Sequence, residues 1–138
     1  MRPERYVPEE VESRWAAYWD KTGAFHCQDR SEKENFYCLV MFPYPSGALH
    51  VGHGRNYILG DVVARYKRMQ GYNVLHPMGW DAFGLPAENA AIKRDTRPSE
   101  YVAENVRRMK RQIRSLGVSY DWRREINTSA PEYYKWTQ

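Results

Sequence analysis

Apolar positions along this chain change period several times. Val11, Trp15, Tyr18 and Trp19 recur at helical spacing behind Pro8-Glu9-Glu10, which puts a proline in the first turn and acids at the positive end of the helix dipole. Gly23 closes that helix, and the polar stretch 28–35 reads as a surface connection. Residues 36–42 are then almost continuously apolar and of strand length, the pattern of a strand buried on both faces in a parallel sheet. Pro43-Tyr44-Pro45-Ser46-Gly47 stops it. Helical spacing returns with Ile58, Val62, Tyr66 and Met69, and Gly71 stands at a capping position, so a helix is predicted over 50–70. Residues 72–76 form a second strand. Strand, helix and strand in succession make a βαβ unit with a right-handed crossover.

The segment 77–86 is dense in glycine, proline and aromatics and is expected to be a loop leading to a helix over 87–93. A further helix begins near Pro98, with Val102, Val106, Met109, Ile113 and Leu116 as its core stripe and Gly117 at its end. The pattern restarts over 131–136 and stops without a cap or breaker, so the chain reads as cut rather than finished.

A length of 138 residues suits one modest domain. Lys and Arg total 21 against 17 Asp and Glu, and the net charge of +4 permits an anionic ligand or nucleic acid without demanding either. The basic cluster over 107–114 shares its helix with an apolar face and is expected to be a solvated surface. Cys27 and Cys38 have no zinc or CxxC spacing, and the charged opening has no apolar leader, so a reducing cytosol is expected. No apolar run approaches the roughly 20 residues a membrane helix needs. No membrane and no DNA are expected as partners.

Ligands of doubly wound folds bind where the first strand's loop meets the next helix. Here that place is taken by residues 46–54, with Gly47, Gly52 and Gly54 exposing backbone at a helix amino end, which attracts anions. The spacing of Gly47 and Gly52 is that of a P-loop, but His53-Gly54 follows instead of Lys and Ser or Thr, so that motif fails. In its place stand His50 and His53, three apart on one face of the first turn and able to donate to phosphate oxygens. Protein-bound metal is not expected, since His26 and His76 lack ligand spacing.

His50-Val51-Gly52-His53 resembles the HIGH signature of class I aminoacyl-tRNA synthetases. The block 41–47 before it, Arg55-Asn56-Tyr57 after it and the run 79–89, Gly-Trp-Asp-Ala-Phe-Gly-Leu-Pro-Ala-Glu-Asn, resemble the bacterial leucyl branch of that family. Ala82-Phe83 after Asp81 separates it from isoleucyl, valyl and methionyl relatives, and residues 120–125 and 132–138 look leucyl-like as well. The resemblance implies an α/β, Rossmann-like nucleotide-binding fold of the HIGH superfamily, incomplete here, with only its first βαβ unit and flanking helices. It implies an amino-terminal helix and connection over 1–35. It also implies the first part of the catalytic domain over 36–138, without the editing insertion, the KMSKS loop or the anticodon-binding domain.

The implied activity is ATP-dependent activation of leucine to leucyl adenylate and transfer to tRNA(Leu), with Mg2+ entering on ATP. By matching position, His50 and His53 are the catalytic pair, and Pro43, Tyr44, Pro45, Ser46, Gly47 and Gly52 join them in binding ATP, Gly52 by leaving room for adenine. Met41, Phe42 and Tyr44 wall the leucine side chain, and Asp81 pairs with its ammonium. That last role makes physical sense alone, since a free amino acid presents a cation. The remainder of a synthetase chain is needed to complete sheet and site, and one face of each apolar helix is expected to lack a partner here. Other readings are an inactive or nucleotide-binding-only piece, an isoleucyl, valyl or methionyl type, or another nucleotidyl transferase of the superfamily.

Overall fold

The computed structural model describes residues 6–138; residues 1–5, part of the charged opening that argued against a leader, lie outside them. Helix α1 spans Pro8–Thr22 and ends as expected at Gly23, whose φ of 61° is one that a side chain disfavours. It lies on the rest of the chain through Trp19, whose ring faces the Arg65 guanidinium at 5.1 Å, and through an Arg114–Asp20 ion pair.

Strand β1 (Asn35–Tyr37), helix α2 (Val51–Met69) and strand β2 (Asn73–Leu75) form the expected βαβ unit, the strands pairing in parallel with Asn35 opposite Asn73 and Tyr37 opposite Leu75. The strand expected over 36–42 is shorter than its apolar run. One further rung joins the Cys38 N–H to the Leu75 C=O at 2.9 Å. The next would need an N–H at position 77, where proline has none. His76 supplies the donor instead, its Nδ1 lying 2.7 Å from the Cys38 C=O, which leaves Nε2 bare and without a partner in the core.

Burial of that run on both faces is also overturned. Cys38 and Val40 are buried, but Tyr37, Leu39 and Met41 are 58%, 56% and 67% exposed, because among the described residues only one face of the segment is covered. Helix α2 repeats the theme. Its predicted stripe of Ile58, Val62, Tyr66 and Met69 is exposed, while Tyr57, Asp61 and Ala64 face inward. The inward face is held by polar bonds as much as by packing. Asp61 accepts from the Ser119 N–H at 2.6 Å and from Arg65 Nε at 2.7 Å, and Arg68 donates to the Ser119 carbonyl at 3.0 Å.

Gly60 brings α2 onto the sheet, since a Cβ there would lie 2.3 Å from Val40 Cγ1. Gly60→Ala should therefore destabilise the chain by about 1–3 kcal/mol through overpacking, despite alanine's better helix propensity. A lowered urea midpoint checks this; a raised one would contradict the close approach.

The segment expected to be a plain loop over 77–86 contains strand β3 (Gly79–Trp80), which pairs in parallel with strand β4 (Ile126–Asn127). Residues 73–81 are thus the middle of three extended lines. On one side Asp81 N–H reaches the Pro43 C=O at 3.0 Å; on the other Asp121, Ile126 and Thr128 donate to His76, Met78 and Trp80 at 2.9–3.1 Å. Helix α3 (Leu85–Ile92) begins two residues earlier than expected, and α4 (Pro98–Ser115) buries Val102, Met109 and Ile113 as its stripe requires. Leu116, past the end of α4, is 46% exposed instead of completing that stripe. Val102, Met109 and Ile113 join Val40, Tyr57, Met78 and Trp80 in one core. The last helix, α5, is a single turn, Pro131–Tyr134. No described helix is long and apolar enough to cross a membrane.

Candidate active site

The two histidines of the 46–54 segment meet at the amino end of α2. His50 is the N-cap, in extended conformation, and its Nδ1 accepts from the Gly52 N–H at 3.1 Å. Three residues on, His53 Nδ1 accepts from the His50 N–H at 3.2 Å. Two amides that a helix leaves unpaired are thereby satisfied reciprocally by imidazoles, in the manner of a capping box. The ring centroids are 3.9 Å apart, and His53 also rests against the buried Tyr57 ring at 5.9 Å. Burial, and secondarily the neighbouring His50, depress the His53 pKa.

The approach to this cap is rigid. Pro43 and Pro45 are buried, and the buried Tyr101 on α4 donates its hydroxyl to the Ser46 C=O at 3.0 Å. Gly47 and Gly54 have open space where a side chain would stand. Gly52 does not: a Cβ there would sit 3.0 Å from the His50 ring.

Asp81 is brought to the same strand ends by its backbone bond to Pro43. Its side chain is half-buried, and Oδ1 faces the Thr128 hydroxyl at 3.4 Å. That hydroxyl also accepts from the Ala82 and Phe83 N–H groups at 2.9 and 3.1 Å, so its own proton is left to point at Asp81. Nothing in the sequence around Thr128 marks it; only the pairing of β3 with β4 brings it across. Phe42 packs over Gly79, where a Cβ would lie 2.7 Å from its ring, whereas Met41 and Tyr44 are 67% and 52% exposed. The three expected pocket residues therefore do not form an enclosure: Phe42 packs inward against the core, while Met41 and Tyr44 are open to the surface. A cavity of about 1090 Å³ runs beside α1 at Trp15, Arg65 and Leu116, away from this site, and one of about 770 Å³ lies next to Asp81 and Thr128, lined by their neighbours Ala82, Phe83, Asn127 and Ser129 and by Val102 and Tyr134.

No group of three or more His, Cys, Asp or Glu gathers as a metal site among the described residues. The basic cluster of α4 is divided: Arg107, Arg108 and Arg111 are exposed, whereas Lys110 and Arg114 pair with Glu125 and Asp20.

His76 is depressed by burial, against the opposing pull of its bond to Cys38, so both it and His53 take up protons more readily unfolded than folded. Stability should then fall as pH drops below about 6.5, the unfolded histidine value. Asp121 acts in a lower window. Burial alone would raise it, but hydrogen bonds from Arg123 and the Cys27 N–H outweigh that and hold it below the usual carboxylate value, so its contribution is lost only in stronger acid. Urea midpoints near pH 7.5 and 5.5 isolate the histidines, and a lower midpoint at the acid value is expected.

Comparison with known proteins gives the family. The family described as tRNA synthetases class I (I, L, M and V) matches residues 14–138. A leucine–tRNA ligase from Nitratidesulfovibrio vulgaris is 60% identical over 134 residues, and one from Thermotoga maritima 59% over 133, covering 97% and 96% of this chain. The chain spans 16% of the length of each. The Agrobacterium radiobacter K84 agnB2 LeuRS in its ternary complex with tRNA and LeuAMS superposes with a TM-score of 0.90 at 46% identity, covering 94% of this chain and 16% of that one. A Mycobacterium tuberculosis methionyl-tRNA synthetase in complex with methionyl-adenylate gives 0.69 at 30%, covering 74% of this chain and 20% of that one. Taken with the family match over residues 14–138, these likenesses mean that the chain belongs to the class I tRNA synthetases of the I, L, M and V group.

Proposed function

We propose that this chain supplies the ATP-facing and leucine-facing part of a leucine–tRNA ligase. The observation that carries the reading is the 60% identity to a ligase of that specificity over 97% of the chain. In the reaction the leucine carboxylate attacks the α-phosphorus of ATP, pyrophosphate leaves, and leucyl adenylate then passes its leucyl group to a ribose hydroxyl of tRNA(Leu). Mg2+ enters with the nucleotide as substrate. The work left to protein side chains is placement and charge stabilisation.

His50 and His53 contact the ATP phosphates in this reading, with Pro43, Tyr44, Pro45, Ser46 and Gly47 shaping the approach. Asp81 takes the leucine ammonium, with Met41, Phe42 and Tyr44 along the side chain. The apposition of Asp81 and Pro43 supports an acid and a nucleotide loop serving one site. The three parallel lines and the helix joining the first two support a Rossmann-like sheet, of which residues 36–138 are the first part and 1–35 an added helix and connection. The exposed faces at Tyr37, Leu39 and Met41 and along α2 are surfaces that the greater length of a ligase would cover. We place the protein in the cytosol, where tRNA is charged.

Leucine-dependent pyrophosphate exchange tests this. A ligase carrying this segment should exchange with leucine and much less with isoleucine, valine or methionine; preference for another amino acid would overturn the assignment. The 138-residue chain alone is expected to show no exchange.

A further inference from the structure

We propose that the amino end of α2 locks both imidazoles in the Nε2–H tautomer, and that Gly52 is the positioning residue that makes the lock possible. The purpose of the lock rests on the ATP reading; its geometry does not. A backbone N–H can only donate. The Gly52 N–H stands 3.1 Å from His50 Nδ1, and the His50 N–H 3.2 Å from His53 Nδ1, so neither Nδ1 carries a proton. Each ring keeps its proton on Nε2, on the side turned away from the capping amides.

Two consequences follow for the chemistry. Both rings offer an N–H, not a lone pair, to whatever approaches the cap, which suits phosphate oxygens and disfavours a cation. Neither Nε2 can then serve as a general base. The proposed reaction needs none, because the attacking leucine carboxylate is already an anion. His76 is the opposite case within the same chain, since its Nδ1 faces a carbonyl and must carry the proton.

Gly52 enters through space. An added Cβ would lie 3.0 Å from both Cε1 and Nδ1 of His50, so the ring would have to give by a few tenths of an ångström, which disturbs its seat over the Gly52 amide. In the ATP reading the same glycine also leaves room for adenine, a separate task from seating the ring. Gly47 and Gly54 differ from it in having nothing within 4 Å of an added Cβ.

The test is an imidazole nitrogen–proton correlation spectrum of the ¹⁵N-labelled 138-residue chain near neutral pH, with assignments from His50→Gln and His53→Gln. His50 and His53 are expected as Nε2–H and His76 as Nδ1–H. An Nδ1–H or doubly protonated ring at His50 or His53 overturns the lock. In Gly52→Ala the His50 signal should become a tautomer mixture while His76 stays unchanged as the control for folding; an unchanged His50 signal overturns the role of Gly52.

A second arm reads MgATP affinity in the full-length ligase. His53→Gln keeps both an acceptor for the His50 amide and an N–H for phosphate, whereas His53→Glu keeps only the acceptor. Gln should hold affinity within about threefold and Glu should lose at least about tenfold. Equal binding by the two overturns the donor role. If both rings are Nε2–H yet the unaltered ligase does not bind ATP, the lock stands and the proposed function falls.

Discussion

Asp81→Asn in a ligase carrying this segment is expected to raise the leucine concentration needed for half-maximal exchange about a hundredfold, with the ATP requirement changed less than about twofold. The substitution keeps size and the capacity to accept a hydrogen bond from Thr128, and removes only the charge. A free ammonium brought to a half-buried amide loses its counter-ion, and truncating such a pair costs roughly 2–5 kcal/mol. ATP should be spared because the imidazoles proposed to meet it sit on another element, tied to their own helix end. Equal losses for leucine and ATP would mean that Asp81 shapes the loop and nothing more. Thr128→Val provides a second reading of the same acid, since it removes the hydroxyl aimed at Oδ1 together with the bonds to Ala82 and Phe83.

Trp80→Ala should lower the stability of the chain by about 3–5 kcal/mol, the usual cost of emptying a large aromatic site. Trp80 is 1% exposed, lies in the core shared by α2, α4 and the middle extended line, and donates its indole N–H to Glu125 at 2.8 Å. Glu125 also holds Lys110 on α4, so the cavity would open beside a carboxylate that has lost one of its two partners. In a domain of this size such a loss takes a large part of the total stability. Trp80→Phe should fall between, keeping most of the packing while giving up the indole bond. Urea unfolding of the three forms checks the order, and an alanine form as stable as the parent would contradict the place of Trp80 in that core.

Helix existence was legible wherever periodicity and punctuation agreed. Gly23, Gly71 and Gly117 mark the ends of α1, α2 and α4, and all three adopt the positive φ that glycine tolerates. Which face of α2 turns inward was not legible. Apolar residues occupy both faces, and burial follows Tyr57, Asp61 and Ala64, with Asp61 held by bonds to Ser119 that no local window contains. The apolar run after β1 was read as a strand buried on both faces, but rungs are made by partners, and Pro77 removes one. Strands β3 and β4 are two residues each and far apart in sequence, so neither had a period to detect.

The imidazole pair at the amino end of a helix and Asp81 after the second strand were legible as residue types on neighbouring loops. The capping arrangement of the rings was not, because it depends on which ring nitrogen meets which amide. Thr128 was invisible for a similar reason: an isolated threonine carries no signal until a distant strand sets it against Asp81.

The imidazole that stands in for an absent amide beside Cys38 makes positions 76 and 77 interdependent. A ring without a nitrogen at 76 would strand the Cys38 carbonyl in the core, yet the same change should become tolerable once residue 77 regains an N–H of its own. His76→Phe together with Pro77→Ala ought therefore to be milder than His76→Phe alone, so that exchange at either position is conditional on its neighbour.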